Sequence, residues 1–253
     1  MAAGVTFLHL SDTHIVEGDG ELLGMRPSRA LRATLERIAG LPVAPDCCLI
    51  TGDLAHDSGP AGYAFLRELL APLAARGLPI LVGLGNHDDR RNFRQGFLGE
   101  TAPGDGRYYH SATIAGLRIV TLDTLVPGAV HGELGAEQLA WLAAELRQPA
   151  PGGTVLALHH PLTLVGMPWL DGIVLRDAAA LAVVIAGSGA LGIVAGHIHT
   201  PSVSVLAGVP LVTAPAVAFQ FRSGDAETRI VHGSGFNLCA VRDGALSVAP
   251  VIV

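Results

Sequence analysis

Five short apolar runs, each followed closely by residues able to bind a metal, constrain this chain more than any other feature. Val5 to Leu10 leads into Asp12-Thr13-His14, Cys47 to Thr51 into Gly52-Asp53, and Leu78 to Val82 into Gly85-Asn86-His87-Asp88. Thr154 to Leu158 leads into His159-His160-Pro161, and Leu191 to Ala195 into Gly196-His197-Ile198-His199. The runs show little period-2 alternation, as expected of strands buried on both faces. Helical patterns lie between them: Leu31, Leu35 and Ile38 behind Ser28 as N-cap, then Tyr63, Leu66, Leu70 and Leu73 closed by Gly77. Ala136 to Gln148 and Asp177 to Ala186 read the same way. The alternation predicts an α/β fold.

In open α/β sheets, ligands collect outside the carboxyl ends of the strands, so five such ends are expected to converge on one site. Asp12 and His14, like His197 and His199, are two apart, which in extended chain sends both side chains of a pair to one face. Glycines before Asp53, Asn86 and His197 let the backbone turn tightly as it leaves the sheet. The donors are oxygen and nitrogen without Cys, which suits Mn, Fe, Zn or Co better than a thiolate zinc or an all-oxygen calcium site. Asp12, His14, Asp53, Asn86, His159, His197 and His199 suffice for two metals, divalent or mixed-valence, with Asp53 as the bridging carboxylate. A single strand-end His or Asp is more often a satisfied hydrogen-bonding residue than a ligand, but a full set in five ordered motifs reverses that balance.

Elsewhere the pattern changes to hairpins. Tyr108 to Asp123 is expected to turn at Ala115-Gly116, and 236–253 at Asp243-Gly244 as a C-terminal β-hairpin. Ser202 to Phe221 is strand-like, broken at Gly208-Val209-Pro210. With no linker or repeat, residues 1–253 read as one domain with a mixed, two-sheet core. No apolar run reaches the roughly 18 residues that span a bilayer, and the N-terminal segment reads as a strand rather than a signal peptide. A cytoplasmic protein without a membrane partner is expected. Cys47, Cys48 and Cys239 form no CxxC pair and read as buried thiols.

Net charge is −6 and all 16 basic residues are Arg, so the broad basic face of a protein that binds extended nucleic acid is missing. The one dense cluster, Arg90, Arg91 and Arg94, is either a site for a small anion or a solvated helix face.

The ordered motifs DxH, GD, GNHD, H and GHxH resemble the calcineurin-like metallophosphoesterase superfamily over residues 5 to about 215. Leu122 to Gly128, His131 to Leu134 and Glu137 to Leu142 are similar to segments of its class III cyclic nucleotide phosphodiesterases and bacterial glycerophosphodiesterases. HHPL at His159 to Leu162 departs from the commoner HHPP without altering a ligand. The resemblance implies a four-layer αββα sandwich, two mixed β-sheets flanked by helices. It assigns Asp12, His14 and His199 to one metal, Asn86, His159 and His197 to the other, and the bridge to Asp53. His87 matches the family's non-ligand histidine, implied as the general acid. The implied reaction is attack of a metal-bound hydroxide on a small phosphodiester, foremost 3',5'-cyclic AMP. Glycerophosphodiesterase, phosphomonoesterase and pyrophosphatase activities are the alternatives on this scaffold, and a silent binding scaffold is disfavoured because no ligand is missing.

Asp88 and His160 are expected to orient ligands or to be polar strand ends. His56 and Asp57 sit in a loop that can reach substrate, as can His131. His9 and His110 read as structural. The apolar segment 162–173, with Met167 and Trp169, suits a pocket cover or the interface of a homodimer or higher homo-oligomer, and equally a simple core loop.

Overall fold

The computed structural model describes residues 4–57, 59–162, 168–222 and 229–253. Strands β1 (Val5–Leu10), β2 (Cys47–Thr51) and β3 (Ile80–Gly83) run parallel at one end of a five-stranded sheet. A second sheet holds β4 (His110–Ile114), β5 (Leu117–Thr121), β6 (Thr154–Ala157), β7 (Ala190–Ala195), β8 (Val203–Leu206) and β9 (Val209–Thr213), in the order β4-β5-β6-β7-β9-β8. A small pair, β10 (Gln220–Arg222) and β11 (Arg229–Val231), stands apart from both. The hairpin β12 (Gly235–Arg242) and β13 (Ala245–Ile252) completes the first sheet, in the order β13-β12-β1-β2-β3. The helices are α1 (Pro27–Ala39), α2 (Pro60–Ala75), α3 (Arg90–Phe93), α4 (Gly135–Leu146), α5 (Pro168–Asp171) and α6 (Ala178–Ile185).

Alternate residues of each central strand enter different cores, which is why the runs lack polar alternation. Phe7, Cys47 and Leu49 meet Ile119, Val155 and Val194 between the sheets. Leu8, Cys48 and Ile50 face Leu31, Leu66 and Leu70 of α1 and α2. On the far side Val120, Leu156 and Ile193 pack on Leu142 and Leu181 of α4 and α6. The result is the expected αββα order, two mixed sheets with a helical layer outside each.

Ala115-Gly116 and Asp243-Gly244 turn as expected, each pair at positive φ, the backbone that two-residue hairpins require. The break before β9 falls at Ala207-Gly208, also at positive φ, while Val209 and Pro210 belong to the strand. Ser28 does not cap α1: Arg26 is the N-cap, Pro27 opens the helix, and the Ser28 hydroxyl bonds Asp19. Asp177 precedes α6, but its carboxylate accepts the backbone N–H groups of Leu134 and Gly135 at the start of α4. The anticipated cover 162–173 lies partly outside the described residues.

Candidate metal centre

All five strand-end motifs meet at one place. Their donor residues do not leave in extended conformation: Asp12, His14, Asp53, His197 and His199 have φ of 55°, 44°, 47°, 72° and 50°. The expectation that each two-apart pair shares a face holds for Asp12 and His14, which stay in one group, and fails for His197 and His199, which diverge. Asp12, His14, Asp53 and His199 form one group, with ligand atoms all within 4.8 Å of one another. His197 joins His159 and His160 in a second such group, and the Asn86 Oδ1 lies 3.2 Å from His159 Nε2. Asp53 stands between the groups, its Oδ2 being 3.5 Å from His14 Nε2 and 3.4 Å from His159 Nε2. Left-handed backbone at non-glycine residues costs roughly 1–2 kcal/mol each, a strain that collects at functional sites.

Close packing explains two of the glycines. A Cβ on Gly85 would run into the Asp53 carboxylate, and one on Gly196 into Ser11 Oγ.

Backbone carbonyls set the imidazole tautomers. His159 Nδ1 donates to Thr51 O at 2.8 Å, His199 Nδ1 to Phe219 O at 2.8 Å, and His197 Nε2 to Ile173 O at 3.1 Å. In its neutral form each ring then turns an unprotonated nitrogen inward. His159 Nε2 and His197 Nδ1 face each other at 3.2 Å, and His14 Nε2 and His199 Nε2 also at 3.2 Å. Buried lone pairs and carboxylates crowded this closely require cations or shared protons between them, so the donor set fits two metal ions.

The proton affinities agree with that reading. Burial holds His14 and His197 down to about 3, leaving them neutral. Burial also opposes charge on His159, but the adjacent Asp53 carboxylate overrides it and lifts His159 to about 9. Burial works against the charge on Asp12 and Asp53 too, yet His199 beside Asp12, and His159 and His14 beside Asp53, keep both carboxyls below the usual range.

Around this centre the other singled-out residues take distinct places. His87 lines the cavity over the site; its backbone N–H donates to Asp53 Oδ1 at 2.9 Å and its Nδ1 lies 3.3 Å from Asp57 Oδ1. His56 Nδ1 lies 3.1 Å from His14 Nδ1, and its ring stacks on His87 at 4.5 Å. Asp88 bonds no ligand ring. It accepts from Leu54, Ala55 and Gly85 N–H and from the Tyr63 hydroxyl, tying the GD and GNHD loops together. Burial and the charge of Asp53 push Asp88 up to about 7 against those donors. His160 is bonded at both nitrogens, to Thr124 Oγ1 at 2.7 Å and Val130 O at 3.2 Å, and so fastens the 124–130 loop to the site. His9 is structural, bonded to Thr51 and Asn237. His110 and His131 do not line the cavity.

The Arg90–Arg94 cluster is neither anion site nor simply a solvated face. Arg90 is buried in a bidentate pair with Asp123, at 2.7 and 2.9 Å, and also donates to Leu125 O. Arg94 reaches Glu100 and lies over the Tyr108 ring, and Arg91 is exposed. Asp123 is further held by Gln138, whose side chain bonds both its N–H and its C=O. Asp123 thus clamps α3, which follows the GNHD motif, to α4.

A calcineurin-like phosphoesterase model matches residues 5–201. The chain belongs to the calcineurin-like phosphoesterase family. Among members of this family it is 42% identical over 214 residues to a cAMP/cGMP dual specificity phosphodiesterase of Mycobacterium tuberculosis, covering 84% of this chain and 67% of that one. It is 31% identical over 227 residues to a 3',5'-cyclic adenosine monophosphate phosphodiesterase of Pseudomonas aeruginosa, covering 89% and 80%. The phosphoesterase fold recurs in a purple acid phosphatase from yellow lupin seeds, with a TM-score of 0.67 at 15% identity over 99% of this chain and 52% of that one.

Sequence reasoning anticipates Trp169 and Ile173, within the 162–173 cover, but passes over the other walls of the phosphoesterase cavity, which encloses about 200 Å³. Leu23, Val130, Ile173, Phe219, Phe221 and Ile230 line it with Trp169. Apolar residues at loop tips look like ordinary packing residues, and no motif marks them.

Proposed function

We propose that this phosphoesterase is a binuclear metal-dependent phosphodiesterase acting on a 3',5'-cyclic nucleotide, foremost cAMP. The observation that carries the reading is the Asp53 carboxylate lying within 3.5 Å of histidines from both donor groups. Asp12, His14 and His199 are the ligands of one ion, Asn86, His159 and His197 of the other, and Asp53 is common to both. Bound there, two first-row ions such as Fe, Mn, Zn or Co supply Lewis acidity to the phosphoryl oxygens and make a water acidic enough to attack near neutral pH. Asp57, bonded to His87 Nδ1, holds the ring so that Nε2 delivers a proton to the departing ester oxygen. His56 steadies His14 from behind.

A diester is favoured over a monoester because, among the described residues, no Arg lines the cavity to meet a second phosphoryl charge. The Mycobacterium tuberculosis and Pseudomonas aeruginosa relatives act on cyclic nucleotides by their names, which supports the same choice here. Among the described residues no helix is long and apolar enough to cross a membrane. The three free cysteines are buried, which accords with a reducing cytoplasm.

The test is an assay of the metal-reconstituted protein with cAMP, 2',3'-cyclic AMP, glycerophosphodiesters and bis(p-nitrophenyl) phosphate against p-nitrophenyl phosphate. Turnover of 3',5'-cAMP above the other esters is expected, and monoester turnover far above every diester refutes the reading.

A further inference from the structure

Of the eleven large apolar side chains exposed among the described residues, four meet at one place. Leu23, Val130, Trp169 and Ile230, exposed by 58, 52, 43 and 45%, all line the cavity above the metal centre. They arrive from four separate segments. Phe221 joins them, directly opposite Ile230 in the β10–β11 pair, with its ring stacked on His199 at 4.5 Å and edge-on to Trp169 at 5.1 Å. Leu23 holds this exposed position at φ 52°, an unfavourable backbone for leucine with no burial to offset it. An exposed apolar ring around a polar floor marks a ligand site that takes a flat apolar group.

We propose that Leu23, Val130, Trp169, Phe221 and Ile230 form a collar that grips the purine of a cyclic nucleotide by its faces without reading its edge, so that adenine and guanine are bound alike. The proposal rests on the phosphodiesterase reading above. A cyclic nucleotide carries phosphate and base at opposite ends of one rigid frame, so a phosphate on the metal floor places the base at the cavity mouth. A glycerol ester would leave the collar bare. The polar residues lining the cavity are those of the floor, and the carbonyls of Val130 and Ile173 already accept from His160 and His197. Among the described collar residues only Trp169 carries a polar side-chain atom, so the collar offers a base apolar faces rather than a pattern of donors and acceptors.

The test compares kcat/KM for cAMP, cGMP and the base-free 1-deoxyribose 3',5'-cyclic phosphate. The cAMP and cGMP values are expected within about tenfold of each other. Trp169→Ala is expected to lower the ratio of cAMP to base-free ester by roughly 5- to 100-fold, the range of one lost base-stacking contact, and Trp169→Phe to restore most of it. A ratio unmoved by Trp169→Ala, or purine discrimination above about tenfold, overturns the collar. A wild type that cleaves bis(p-nitrophenyl) phosphate but neither cyclic nucleotide overturns the cyclic-nucleotide reading instead. The collar is then judged on Trp169 fluorescence in the metal-loaded Trp141→Phe variant: saturable quenching by 5'-AMP supports it, and none overturns it.

Discussion

Metal binding at the His159 group is expected to expel a proton near neutral pH. His159 donates from Nδ1 to the Thr51 carbonyl, so the nitrogen available to a cation is Nε2, and this one faces Asp53 Oδ2 at 3.4 Å. The carboxylate lifts His159 to about 9, so at pH 7 Nε2 holds a proton in about 99% of molecules. A cation must displace it. The displacement spans about two pH units and lowers apparent affinity on the order of 100-fold at pH 7 relative to the deprotonated site. Because the protonated ring competes with the cation, affinity grows as pH rises, about tenfold per unit up to the pKa, and levels off above it. His14 and His197, held at about 3, add nothing to this slope. Calorimetric titration of the chelator-stripped protein with Mn²⁺, in buffers of differing ionisation enthalpy at pH 7, should report release of about one proton at this group. Asp53→Asn removes the charge that retains the proton. Burial then dominates, and the His159 ring should titrate below the ordinary histidine range in the NMR spectrum of the stripped protein. Zero proton release at pH 7, with affinity flat from pH 6 to 8, refutes the reasoning.

Asp53→Ala should abolish turnover and lower the metal content measured by elemental analysis, because it removes the ligand shared by both groups; unchanged metal stoichiometry contradicts the bridge. His87→Ala should keep both metals while kcat on cAMP falls by roughly 10² to 10⁴, with a smaller loss on a nitrophenyl ester, whose leaving group needs no proton. Arg90→Met leaves Asp123 buried without its partner, and chemical denaturation should show a loss of about 3–5 kcal/mol; a loss below about 1 kcal/mol, typical of an exposed pair, refutes the clamp.

How much was legible before folding depends on how local each feature is. Every donor residue stands within a few positions of an apolar run, so the list of candidate ligands, its order and the two-sheet α/β architecture follow from strand patterning and donor chemistry. The turns at Ala115-Gly116 and Asp243-Gly244 are equally local and stand where expected. The Arg90 cluster misled because charge density in sequence says nothing of burial, and Arg90 meets its partner Asp123 33 positions away.

The amino-acid sequence by itself determined which side chains could hold metal, since donor type and strand-end placement are written into consecutive residues. Only the tertiary structure decided how they divide. His197 and His199, two positions apart and both in left-handed backbone, go to different groups, whereas Asp12 and His14, with the same spacing and backbone, stay in one. The inward nitrogens of His159, His197 and His199 are selected by carbonyls of Thr51, Ile173 and Phe219, the first of them 108 positions away. Every residue carries a carbonyl, so no residue type announces that role. The apolar collar is likewise made by four distant segments meeting over one polar floor, a coincidence in space that no stretch of sequence contains.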